Sequence, residues 1–556
     1  MRVLSHTGCP AFPTRVTKIA QMPQIARIIV VLAIAVPGLA AAQTAVTHLF
    51  ATSDNCVACH NGLVTADGRD ISIGDDWSAS MMANSARDPY WQAAVRREIM
   101  DHPTASAEIQ DECSACHMPM ARYEAKAAGR KGQVFAHLPV APGTGGETAL
   151  AHEGVSCAMC HQILPDGLGT PASFTAGFAI DEDTAKGGRQ IFGPFEVTDG
   201  RKHVMSSASL FEPGEGGHIQ DSGLCGSCHT LYTHSRGEDG EIIATLPEQM
   251  PYLEWEHSDY PGRETCQSCH MPVVEGETPV SAVLGEPRQS VSRHVFRGGN
   301  FFMLRMLNRY RGELGVTAAP RDLEEAARRT VEHLQSASAE VEAEAVRRSG
   351  TSLEAVIRIR NKAGHKLPSA YPSRRAWLHV TVTDSDGTVV FESGRLRSDG
   401  SIAGNDNDED PRRHEPHHDV VDDPSEVQIY EGILADPDGR VTTGLLTATH
   451  YTKDNRLLPT GFDKTTAAED IAVQGAAADD ADFAGGGDVV RYRVDMQGAD
   501  GPFTVEAALW YQPIAYRWAR NLAPYDALET RRFVRYYESM AAQSGVVLDR
   551  DRAEVR

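Results

Sequence analysis

Ten cysteines fall into five pairs, each with two residues between the partners and each followed at once by histidine: Cys56, Cys59 and His60; Cys113, Cys116 and His117; Cys157, Cys160 and His161; Cys225, Cys228 and His229; Cys266, Cys269 and His270. Two thiols at this spacing suit addition to the two vinyl groups on one edge of a porphyrin. The adjoining imidazole then falls under the iron as its proximal ligand. Zinc sites need about four ligands per metal and give no role to a histidine after every second cysteine. A disulfide framework has no use for that histidine either. The spacing therefore predicts five covalently attached hemes c.

The opposite face of each iron separates a carrier from an enzyme, because a second His or a Met saturates the metal whereas an open face binds substrate. Between residues 43 and 300 nine further histidines are available: His48, His102, His137, His152, His203, His218, His234, His257 and His294. His294 and His218 are the leading distal candidates, with His203 next; each has an alternative role as a surface or propionate-bonding histidine. His365, between Gly364 and Lys366, either reaches a heme from the C-terminal half or makes a structural hydrogen bond, and the second reading is favoured. Residues 405–410, Asn-Asp-Asn-Asp-Glu-Asp, offer oxygen ligands of the kind calcium prefers but lack the spacing and glycine of an EF-hand loop. A solvated acidic loop is the expectation there, so calcium is possible without being supported. His414, His417 and His418 form a cluster too unspecific to assign to a metal.

The five motifs must be positioned by very little polypeptide. They span 215 residues, rich in Gly, Pro and Asp, with two helices expected at 76–100 and 301–311. The fold class expected is therefore multidomain: a heme-cored, mainly α or irregular multiheme cytochrome domain at 43–315, followed by a β-sandwich-like domain. A linking helix is expected at 316–337, opened by Pro320, and the β-sandwich-like domain at 338–515. Strand signals lie at 338–346, 353–360, 377–383, 388–391, 489–496 and 503–511. Residues 516–556 are expected to be a helical tail.

Residues 1–42 read as an export signal: Arg15, Lys18 and Arg27 precede an apolar run at 28–36 and the small residues Ala40, Ala41 and Ala42. Cleavage is expected after Ala42. The apolar stretch is too short, and too interrupted by Pro37 and Gly38, to span a bilayer, and no later stretch qualifies. Removal takes four basic and no acidic residues, so the net charge of −23 becomes −27. Nucleic acid is thereby an unsuitable partner. Other redox proteins, as electron donor and acceptor, are the expected partners, and the periplasm or outer cell surface the expected location.

The strings around Cys157-Ala-Met-Cys160-His161-Gln162-Ile163, Cys225-Gly-Ser-Cys228-His229-Thr230-Leu231-Tyr232 and Cys266-Gln-Ser-Cys269-His270-Met271-Pro272 continue into recognisable C-terminal segments. These are Gly364-His365-Lys366-Leu367-Pro368 and Tyr371-Pro372-Ser373-Arg374-Arg375. Together the sequence resembles multiheme c-type cytochromes of the broad cytochrome c-552/4 type that carry a β-rich C-terminal domain. In that group a Trp-x-x-Ser-x-His string often delivers a distal histidine. Here Trp77 and Ser80 put Met82 at that position, as a thioether ligand or as packing on a porphyrin. Trp255 and Ser258 put Tyr260 there, which leaves nearby His257 as the better ligand candidate.

The function expected is electron transfer along a chain of low-spin hemes in a respiratory or extracellular pathway. One alternative is a multiheme reductase or oxidase of a small nitrogen or sulfur compound at one five-coordinate heme. Pentaheme nitrite reductases resemble this chain in heme count, but their Cys-x-x-Cys-Lys motif does not occur here. A second alternative is a structural subunit of a cytochrome filament.

Overall fold

Each cysteine motif sits on or at the end of a short helix: Asp54–His60, Ser106–His117, Cys157–Cys160, Ser222–Gly226 and Cys266–His270. A helical turn brings residues i, i+3 and i+4 onto one face, so two thiols and the following imidazole point the same way. The shortest of these helices are held by local chemistry. Thr265 and Ser268 form a reciprocal capping box, and the Asp221 carboxylate accepts from the Gly223 amide. Gly226, between Cys225 and Ser227, lies under the Tyr252 ring, where an added Cβ would stand 2.8 Å from the ring carbon. No larger residue fits there without moving the ring.

The chain is described by a computed structural model over residues 48–185, 187–496 and 498–556. The expected export segment lies outside the described residues. Among the described residues no helix is long and apolar enough to cross a membrane. The helix expected over 76–100 is divided into Ile73–Ser78, a 3-10 turn Ser85–Arg87 and Pro89–Asp101. The break has a local cause: Pro89 has no amide hydrogen to continue a preceding turn, and the Asp88 side chain accepts from the Tyr90 and Trp91 amides to start a new helix. The second expected helix runs Phe301–Arg309, with Phe301, Phe302, Met303, Leu304, Met306 and Leu307 all buried.

From residue 320 a helix, Pro320–Ala337, leads into a hairpin of Ala339–Ser349 and Ser352–Asn361. This hairpin belongs to a four-stranded sheet in the order Val420–Val421, Gly487–Asp495, Ser352–Asn361, Ala339–Ser349. A seven-stranded sheet is built around Arg375–Thr383, which pairs antiparallel with Phe503–Gln512, Ile429–Ala435 and Val389–Ser393. Ile357 and Ile359 of the first sheet and Leu378, Val380, Val505 and Leu509 of the second share one hydrophobic core with the helix residues Phe301 to Leu307. That core joins the β-rich part to the motif-bearing part.

Two stretches depart from the sequence expectation. Ile429–Ala435 is a strand buried at all seven positions, so it carries no inside–outside alternation to betray it. The expected helical tail holds helices Tyr516–Arg520 and Leu528–Met540, but its last segment, Val546–Val555, is a strand paired antiparallel with Phe503–Gln512. Its run Asp549–Glu554 is almost entirely charged and only Leu548 of the strand is buried, which fits a solvent-facing edge position and hides the strand from a reading by alternation.

Candidate functional site

All ten motif cysteines and all five motif histidines line a single continuous cavity of about 1050 Å³. Four of the five imidazoles are oriented by the same device. Nδ1 of His60, His117, His161 and His270 donates to the carbonyls of Val280, Ser85, Phe192 and Arg297 at 2.6, 3.0, 2.5 and 2.5 Å. With Nδ1 holding the hydrogen, Nε2 keeps its lone pair for a metal. Trp91 reinforces His117 by lying parallel to it, ring centres 4.3 Å apart. Burial lowers the proton affinity of His117, His161 and His270, to about 4 for the first and last, so those three stand neutral and ready to coordinate near pH 7.

The thiols of different motifs meet in pairs. Cys56 lies beside Cys157, Cys116 beside Cys228, and Cys225 beside Cys266, each within thiol hydrogen-bonding reach. The fourth motif therefore touches both the second and the fifth. The first touches the third.

Four histidines outside the motifs also face the cavity: His234, His294, His333 and His365. His294 stands opposite His161, ring centres 6.2 Å apart and planes inclined by 20°. Its Nδ1 is buried with no hydrogen-bond partner, and burial holds its proton affinity down to about 3. The loop that carries it is fixed by Arg293, whose guanidinium makes a two-pronged pair of 2.7 and 2.8 Å with buried Asp76. His365 stands opposite His270 at 6.3 Å. His234 comes from a hairpin, Leu231–Arg236 with Ile242–Gln249, that directly follows the fourth motif. Its Nδ1 faces Glu112 at 3.3 Å. His365 is the residue for which a structural hydrogen bond is the reading favoured by sequence, and the fold instead brings it to a motif; His333, on the helix Pro320–Ala337, has no local signal that marks it.

The distal candidates read from sequence divide. His294 and Met82 line the cavity; His203, His218 and His257 do not. His203 is exposed on the helix Asp199–Ser209, with Nδ1 toward the Asp199 carbonyl. His218 donates from Nε2 to the Ile163 carbonyl at 2.9 Å, and His257 from Nε2 to the Asp463 carbonyl at 3.0 Å. Each of these two thereby commits its outer nitrogen to a backbone carbonyl. Tyr260 does line the cavity and donates to the Lys362 carbonyl at 2.8 Å.

The C-terminal acidic run is committed to arginines. Asp408 pairs with buried Arg375 through two contacts of 2.9 Å, and Asp406 and Asp410 pair with Arg413 and Arg412. Its oxygens thus have partners other than calcium. The ligand atoms of His417, Asp480 and Asp488 lie within 4.8 Å of one another. His417 Nδ1, however, accepts from the Gln428 and Asn455 amides at 2.8 and 3.0 Å. That places its hydrogen on Nε2, which donates to Asp480 at 3.0 Å. The cluster is a satisfied hydrogen-bond network, with Nε2 already in use.

The residues fit covalently bound heme: paired thiols on one helical face, imidazoles presenting Nε2, an apolar wall, and an orphaned buried nitrogen on His294. No family model and no curated protein matches the sequence. A solved structure does match in fold, the crystal structure of a penta-heme cytochrome c552 from Thermochromatium tepidum. The likeness has a TM-score of 0.51 at 16% identity and covers 91% of this chain and 99% of that one. The chain thus has the fold of a multiheme cytochrome, with helices around the motifs and a part rich in β-sheet.

Proposed function

We propose that this protein is an exported pentaheme c-type cytochrome that transfers electrons between redox partners. The observation that carries the reading is the convergence of all five Cys-x-x-Cys-His motifs on one cavity. When bound there, heme would supply reversible one-electron chemistry at iron. The chain's own part is to hold each group and set its environment. Ten thiols anchor the porphyrin edges, carbonyls orient the proximal rings, and buried apolar residues such as Ile109, Met159 and Leu304 keep water from the cavity walls. The pairing of thiols from neighbouring motifs supports a close sequence of sites, first beside third, second beside fourth, fourth beside fifth. The two sheets that share one core support the sandwich-like arrangement of the β-rich part.

The test has two arms. Mass spectrometry of the mature protein should give five covalent hemes and an N-terminus at or near Gln43. Electron paramagnetic resonance of the oxidised protein should show every iron low-spin. A high-spin signal from one heme in five, altered by nitrite, hydroxylamine or cyanide, would replace the carrier with an enzyme.

A further inference from the structure

His365 belongs to the loop that follows the strand Ser352–Asn361, 95 residues beyond His270 and in the β-rich part of the chain. Its ring centre is 6.3 Å from that of His270, with planes only 11° apart. Two imidazoles bound through Nε2 to opposite faces of one iron have a definite separation. With metal–nitrogen bonds of about 2.0 Å and ring centres roughly 1.1 Å behind the nitrogens, it is about 6.2 Å. His161 and His294 show the same spacing, at 6.2 Å.

The tautomers agree with that geometry. His270 donates from Nδ1 to the Arg297 carbonyl at 2.5 Å, and His365 donates from Nδ1 to the Lys366 carbonyl at 2.9 Å. Each ring has its outer lone pair on Nε2. The loop is also tied down, as a ligand-bearing loop needs to be. Lys366 is fully buried and its ammonium meets Asp454 at 2.7 Å, while its amide and the Ser369 hydroxyl both donate to Glu254 at 3.1 and 2.9 Å. Glu254 lies on the helix Pro251–Glu256, between the fourth and fifth motifs, and is paired in turn with Arg456 at 2.9 Å. Leu367 and Leu457 exchange two backbone hydrogen bonds of 2.9 Å beside it. The competitor is His333 of the helix Pro320–Ala337, whose ring centre is 6.0 Å from that of His270 but inclined by 71°.

We propose that His365 is the second axial ligand of the heme iron held by Cys266, Cys269 and His270, so that the β-rich part completes the fifth site. The assignment rests on the heme reading above, and the experiment separates the two. In full-length holoprotein, His365→Ala should turn one heme in five high-spin, and added imidazole should return it to low-spin. His365→Met should keep all five irons low-spin, convert one from bis-imidazole to imidazole–thioether in near-infrared magnetic circular dichroism, and raise one potential. His333→Ala should leave spin state and spectrum unchanged. The proposal is overturned if His333→Ala gives the high-spin heme, or if both His365 variants match the parent in spectrum and potentials. Absence of heme from the Cys266–Cys269 peptide of the parent protein would instead overturn the pentaheme reading itself.

Discussion

Asp488 shows how a single buried carboxyl ties stability to pH. Burial, with the Asp480 and Asp482 charges nearby, raises its proton affinity to about 7, against the hydrogen bonds it accepts from Tyr430 and the Val489 amide. A folded value above the unfolded one means that its stabilising part is complete below about pH 4 and is lost as pH rises through 7. His417 works in the opposite direction. Its Nδ1 faces two amide donors and cannot take a proton, and burial lowers the ring to about 4. Its contribution is present above about pH 6.5 and is lost as pH falls toward 4. The two slopes offset each other between those limits. Asp488→Asn should expose the histidine's slope: its unfolding free energy from urea titration should drop on going from pH 7 to 4.5, more steeply than the parent's, by an amount on the order of 3 kcal/mol. Equal pH dependence in the two proteins would refute the assignment.

The loop bearing His365 is an element whose stability comes from four charges out of water: Glu254, Lys366, Asp454 and Arg456. Two acids face two bases, so removing one leaves a partner unpaired in the interior. Asp454→Asn should cost about 3–5 kcal/mol in urea unfolding. The exposed pairs of Arg328 with Glu325 and Glu332 make a control, since Arg328→Ala on the same protein's surface should leave the midpoint unchanged. What could be read from sequence follows the same division between local and distant contacts. A thiol pair and its imidazole lie within one helical turn, so their type and spacing carry the whole signal. His161 with His294, and His270 with His365, meet only after more than ninety residues of chain have folded between them, and nothing local marks the partner. Elements behave alike. The hairpin Ala339–Ser349 with Ser352–Asn361 advertises itself by alternation, whereas Ile429–Ala435, buried at every position, offers none. Pro89 stands inside the stretch expected as one helix, and it is the local mark at which the chain starts a new one.

At the scale of the molecule, acidity governs encounter. With 76 acidic against 53 basic residues, the field favours approach by cationic partners, and salt screens it over about 10 Å at 0.1 M. Reduction by a cationic complex should therefore slow as salt is added, while reduction by an anionic one should quicken; stopped-flow traces at 10 and 300 mM salt decide it. The meeting of thiols from separate motifs bears on how such a molecule is made. Cys116 rests beside Cys228, and Cys225 beside Cys266. In an oxidising compartment, thiols brought together before their porphyrins arrive are set to cross-link. On the proposed heme reading, maturation then has a direction in time: the thioether bonds would form on a chain still open, and compaction would wait. Chain exported without heme should accumulate with Cys116–Cys228 and Cys225–Cys266 crosslinks, visible by peptide mapping, and should accept no heme at those motifs until it is reduced.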